Sequence, residues 1–161
     1  MILDLIALDN SSKVWIYQSD KEFTYDELDD AREDIFHFLS EWTAHSAELD
    51  SYGNIFHKRF LAFFVDESKA HASGCSIDTS VRFVEALGKK MNKDFFDRMT
   101  YAYMDEEEEI HTLHHNNLPT AYADGKVLDS TFFFNNLVKT KGDFLTKWIR
   151  PLDESWQKRF V

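Results

Sequence analysis

At 161 residues, 43% hydrophobic and 16% aromatic, with fifteen Phe, the chain has the length of one domain and ample material for a packed core, which argues against a disordered or disulfide-scaffolded protein. Its net charge of −11 leaves no basic face to displace counterions from phosphate, so nucleic acid and anionic membranes are disfavoured as partners. No apolar run approaches the ~20 residues that span a bilayer.

A single cysteine cannot form an intrachain disulfide, which points to a reducing compartment. The opening "MILDLIALDN" has an early Asp and no basic region ahead of it, unlike a secretory signal. A soluble, cytoplasmic protein of one domain over residues 1–161 is expected.

In chain order, "KVWIYQ" (13–18) has strand composition. "FTYDEL" then carries a helix-start signature: Thr24 as cap, Glu27 reaching back, and Phe23 stapled onto Leu28. Leu28, Ala31, Ile35, Leu39 and Trp42 recur at helical spacing and predict a helix over 25–43. Residues 48–59 and 60–67 read as adjacent strands, the second apolar enough to be central. "HASGCSID" (71–78) leads into a second helix whose stripe is Ile77, Val81, Val84 and Leu87, with Ser76 as cap and Gly88 as a natural stop. Residues 99–104 and 110–115 predict a hairpin across the acidic "DEEEE". "LPTAYADG" reads as a short helix ending at Gly125, 131–138 as a strand, and "GDFLTKWI" as a last helix stopped by Pro151. Strands and helices do not alternate regularly, so the expected fold is α+β: a mostly antiparallel sheet with two main helices packed on it.

Three groups of residues carry chemistry. Cys75 stands at a helix entrance, where peptide dipoles stabilise a thiolate, with His45 and His71 as candidate bases or orienting groups and Asp66 as a further possible partner. Trp42, Ser73, Gly74, Ser76 and Asp78 around it are candidate ligand contacts. Against this stands the frequency with which a Cys is simply buried and with which Ser and Asp cap helices. In "EEEEIHTLHH", His111 and His115 are candidate ligands for a divalent metal, weighed against a solvated acidic turn followed by half-exposed histidines. Trp15, Tyr17, Trp42, Trp148 and Trp156 either line a pocket for a small apolar ligand or belong to the core. No pair of glycines has the spacing of G-x-x-x-x-G-K-[ST], and neither G-x-G-x-x-G nor G-x-S-x-G occurs. Nucleotide hydrolysis by a P-loop is therefore excluded.

The segments "VWIYQS", "WTAH", "KRF", "SGCSIDTSVRF", "FNNLV" and the terminal "SW" followed by "RF" span residues 14 to 160. In these the chain resembles a family of small bacterial proteins of unknown function that are often labelled automatically as ABC transporter ATPases. The missing Walker A loop speaks against that label. The resemblance implies a family without implying a reaction, cofactor or catalytic residue. The leading expectation is a module that binds a small molecule or a protein. Its rivals are a thiol-dependent enzyme or redox sensor using Cys75, and a metal protein using His111 and His115; cofactor and oligomeric state stay undetermined by the residues.

Overall fold

A computed structural model describes residues 1–161, which divide into two compact units: Met1–Phe96 with Lys139–Phe144, and Asp97–Val138 with Leu145–Val161. The architecture is α+β, with every paired strand antiparallel and two long helices, in agreement with the expected class. No helix is long and apolar enough to cross a membrane.

In the first unit, β1 (Lys13–Gln18) is followed by α1 (Tyr25–Glu41), a two-residue pair β2 (Thr43–Ala44) and β3 (Ala47–Glu48), then β4 (Asp50–Phe56), β5 (Phe60–Asp66) and α2 (Gly74–Met91). The sheet order is β1-β5-β4. Central β5 is buried on both faces, as its unbroken apolar run requires. Leu61, Phe63 and Val65 face a core shared with Leu28, Ala31, Ile35 and Leu39 of α1 and Val84, Leu87 and Met91 of α2. On the opposite face the Phe64 ring meets those of Tyr52, Phe56 and Phe144.

The start of α1 matches its sequence signature: Thr24 accepts from the Glu27 amide and the Glu27 carboxylate accepts from the Thr24 amide. Its end does not, because Trp42 is extended, and the chain turns through His45 and Ser46, both at positive φ, into β3. Two left-handed central residues give the turn that matches strand twist in a two-residue hairpin. A tight hairpin of two-residue strands leaves no periodicity to read, so the helix was expected to run on. The strand expected over 48–59 breaks likewise, into β3, β4 and a turn at 57–59 in which His57 and Lys58 have positive φ.

Helix α2 begins one turn earlier than expected, capped by Ser73, with Ser76 as its capping-box partner. Its buried stripe is Ser76, Ser80, Val84, Leu87, Gly88 and Met91, while Ile77 and Val81 are only partly buried. The two serines tolerate burial because their hydroxyls donate to the carbonyls of Ser73 and Ile77. Gly88 does not stop the helix. It lies inside it, because the chain folds back after Asn92, which takes the left-handed cap conformation. A Cβ at Gly88 would lie 2.6 Å from the Lys93 carbonyl oxygen.

The second unit holds β6 (Thr100–Met104), β7 (Ile110–His114), α3 (Leu118–Ala123) and β8 (Phe132–Phe134). Helix α4 (Lys141–Lys147) follows, its residues divided between the two units, and then β9 (Ile149–Pro151), giving the sheet order β7-β6-β8-β9. The expected hairpin across 105–109 forms with Thr100 opposite His114. The last helix ends before Trp148, and Ile149–Pro151 pairs with β8 instead of continuing it. Pro151 is tolerated because β9 is an edge strand, where a missing amide leaves no ladder bond unmade. Tyr103, Leu113, Leu118, Ala121, Val127, Phe133 and Leu152 form this unit's core.

Candidate functional site

The sequence motifs "WTAH" and "SGCSID" meet in the first unit. Trp42 is 2% exposed and its indole N–H donates to the Ser76 carbonyl at 2.9 Å, within the first turn of α2. Its ring packs against Trp15, Phe38 and Phe63. This buried bond ties the end of α1 to the start of α2. Ser73 and Ser76 are joined by the capping box, so both hydroxyls serve the helix. Gly74 and Asp78 are exposed.

Cys75 lies in that first turn with its thiol exposed. Its carbonyl accepts from Thr79 Oγ1, and its sulfur has no hydrogen-bond partner. His71 Nδ1 instead faces the Glu67 carboxylate at 3.6 Å, and His45 is exposed in the β2–β3 turn. The structure thus joins Trp42 to Ser76 and Ser73 to Ser76, but pairs neither imidazole with the thiol.

His111 Nε2 contacts Asp105 Oδ2 at 2.7 Å and its ring stacks on Tyr103. The same carboxylate accepts from the Glu107 and Glu109 amides, closing the acidic turn. The His111 bond first, then these amides, hold Asp105 below its ordinary value. His115 follows the end of β7 and lies against the rings of His114 and Tyr101. No group of three or more His, Cys, Asp or Glu side chains is gathered as a metal site.

A feature the motifs did not signal is a cleft of about 640 Å³ between the first residues, one side of α1 and the free edge of β4. Ile2, Leu3 and Asp4 form one wall, and Arg32, Phe36 and Ser40 the other, with Gly53 between them. The edge explains its shape. Ser51 donates to the Met1 carbonyl and accepts from the Leu3 amide, both at 2.9 Å, making one parallel bridge beside β4. At Asp4 the chain leaves the edge for a short 3-10 turn over Leu5–Ala7. Farther along, the Arg32 guanidinium donates to the Ile55 carbonyl and to Asn54 Oδ1, which itself accepts from the Ile55 amide.

Backbone groups two residues apart point to the same edge of a strand, so Gly53 faces outward as Ser51 and Ile55 do. Its amide and carbonyl have no partner there. The lack of a side chain is needed on the inner face, where a Cβ would lie 2.8 Å from Phe63 and 3.2 Å from Ile35. Phe36, 59% exposed, stands beside this opening on the side of α1 away from the core stripe. Two signals in the sequence mark the site: a glycine inside a strand, and an apolar residue out of phase with the stripe of its helix.

Compared with family models, curated proteins and solved structures, the chain matches none.

Proposed function

We propose that the protein is a binding module whose partner occupies the cleft between α1, the β4 edge and residues 1–4. The observation that carries this reading is the pair of unpartnered backbone groups at Gly53, a residue that lines an open cleft of about 640 Å³. Ligand sites are typically concave, largely apolar and furnished with a few directed polar groups, and this cleft has Ile2, Ile35, Phe36 and Leu39 beside the Gly53 amide and carbonyl. The lone cysteine and strongly acidic balance support a cytoplasmic setting without nucleic-acid contact. The resemblance to the small bacterial family is retained as part of the proposal and adds no reaction to it.

Amide chemical-shift mapping with a mixture of small aromatic fragments tests the reading. Hits are expected to move resonances of Ile2, Arg32, Phe36 and Gly53, and to be lost in Phe36→Asp. Hits clustering elsewhere, or undiminished in the variant, would remove the cleft from consideration.

A second reading, thiol chemistry at Cys75, is favoured by the exposure of its sulfur on the first turn of α2. It requires the native thiol to react with iodoacetamide faster than the thiol of the unfolded chain, because exposure alone gives only equal rates. A native rate at or below the unfolded one rejects it.

A further inference from the structure

We infer that the occupant of this cleft is an extended, basic peptide segment that adds to the free edge of β4, with one apolar residue opposite Gly53 and Lys or Arg flanking it where the segment leaves the edge. The inference rests on reading the cleft as the binding site and names the chemistry of its ligand.

The backbone supplies the first part. A peptide amide and carbonyl are the complement of an unpartnered amide and carbonyl on one residue, and strand addition to a sheet edge is a recurrent mode of peptide recognition. The edge already accepts such an addition, since Met1–Leu3 bridges Ser51 in this manner. The opening is one residue wide, between that bridge and the Arg32 contact at Ile55. An antiparallel approach suits so narrow an opening. A single ligand residue then exchanges both bonds with Gly53, whereas a parallel approach divides them between residues two apart.

Side-chain direction supplies the second part. Residues directly opposite each other across a pair of strands point to the same face. The missing Cβ of Gly53 points at Phe63 and Ile35, so the ligand residue opposite it projects toward the α1 side, where Ile35, Phe36 and Leu39 line the cleft. That residue is therefore apolar.

Charge supplies the third. Asp4 lines the cleft, and Asp29 and Glu33 occupy the exposed side of α1 one turn before Arg32 and Phe36. None of these three carboxylates forms a hydrogen bond or a close ion pair, and only Glu33 feels a nearby cation, Lys90, which itself pairs with Asp34. Glu48 is held by the Met1 amino group, and the one cationic side chain of the lining, Arg32, donates to neutral acceptors. With the chain at −11 overall, the approach favours a cationic ligand.

The test uses the full chain and a fluorescein-labelled pentapeptide with a central leucine between lysine pairs. Anisotropy is expected to report saturable binding that weakens with added salt and is abolished when the lysines are replaced by glutamates. N-methylation of the leucine amide, which removes one edge bond and its space, is expected to weaken binding by about tenfold or more. Phe36→Ser changes an exposed side chain and leaves the core intact, and it too is expected to weaken binding. If the methylated peptide binds as well as its parent, the edge-addition inference is overturned. It is overturned too if the peptides fail while aromatic fragments still shift Gly53 and Phe36, a result that spares the binding-module reading. Sedimentation showing a dimer that protects the same edge would assign the surface to a second copy and overturn the peptide. If neither peptide nor fragments perturb the cleft, both readings fail together.

Discussion

Replacing Gly88 by Ala separates the general behaviour of helices from the packing of this one. In an unobstructed helix interior, Gly→Ala stabilises by about 1 kcal/mol, because alanine loses less backbone freedom on folding. At Gly88 the added Cβ lies 2.6 Å from the Lys93 carbonyl oxygen, a backbone atom that cannot rotate away. The Lys93 amide also donates to the Gly88 carbonyl at 2.9 Å, so relieving the clash disturbs the turn that ends α2. Overpacking of this kind costs roughly 1–3 kcal/mol or more, which outweighs the propensity gain. At about 2–4 °C per kcal/mol for a chain of this size, Gly88→Ala is expected to lower Tm by several degrees. Gly74→Ala provides the counter-case: it starts the same helix, nothing lies within 4 Å of its added Cβ, and a gain of up to about 1 kcal/mol is expected. Thermal unfolding followed by far-UV circular dichroism reads both. If Gly88→Ala melts at or above the unmodified protein, the close approach of residues 88 and 93 is refuted.

Three further outcomes are expected. Trp42→Phe removes the donor to the Ser76 carbonyl and part of a buried ring, and should destabilise by about 1–3 kcal/mol in urea titration; an unchanged midpoint would dismiss the bond as a tie between α1 and α2. Asp105 is held below its ordinary value in the folded protein, so its contribution is present above the unfolded carboxylate range and is lost as pH falls through the folded value. Asp105→Asn should therefore flatten the acid limb of the stability profile, and an acid limb identical to that of the parent would contradict this. Cys75 should be labelled by a thiol reagent without denaturant, with Cys75→Ser as the blank; labelling only in denaturant would mean that the sulfur is not exposed.

The long elements were legible because their signals are local. Thr24, Glu27 and the stripe from Leu28 to Leu39 specify α1 within a single helix, and the unbroken run in β5 states its central position. Boundaries failed where long-range contacts decide. Gly88 looks like a stop until the returning Lys93 gives it a reason to be inside α2. Trp42 continues the helical spacing, but its indole is drawn to Ser76, 34 positions away, and the backbone leaves the helix to allow it. The candidate site was least legible, because it depends on backbone rather than on side chains. Gly53 carries no chemistry in its letter, and its importance appears only once Met1–Leu3 and Arg32 are seen to cover the edge on either side. Cys75, conspicuous in sequence, proves to have no hydrogen bond to an imidazole.

The exposure of one backbone amide underlies the functional account, and hydrogen exchange of the unliganded protein measures it directly. The amides of Tyr52 and Asn54 point into the β5 pairing, whereas that of Gly53 points away from it, toward the free edge that borders the cleft. Gly53 is expected to exchange far faster than both neighbours, and to slow when the lysine–leucine peptide is added. A Gly53 amide as protected as that of Tyr52 in the free protein would mean that the edge is already filled, and the cleft would lose its claim to a partner.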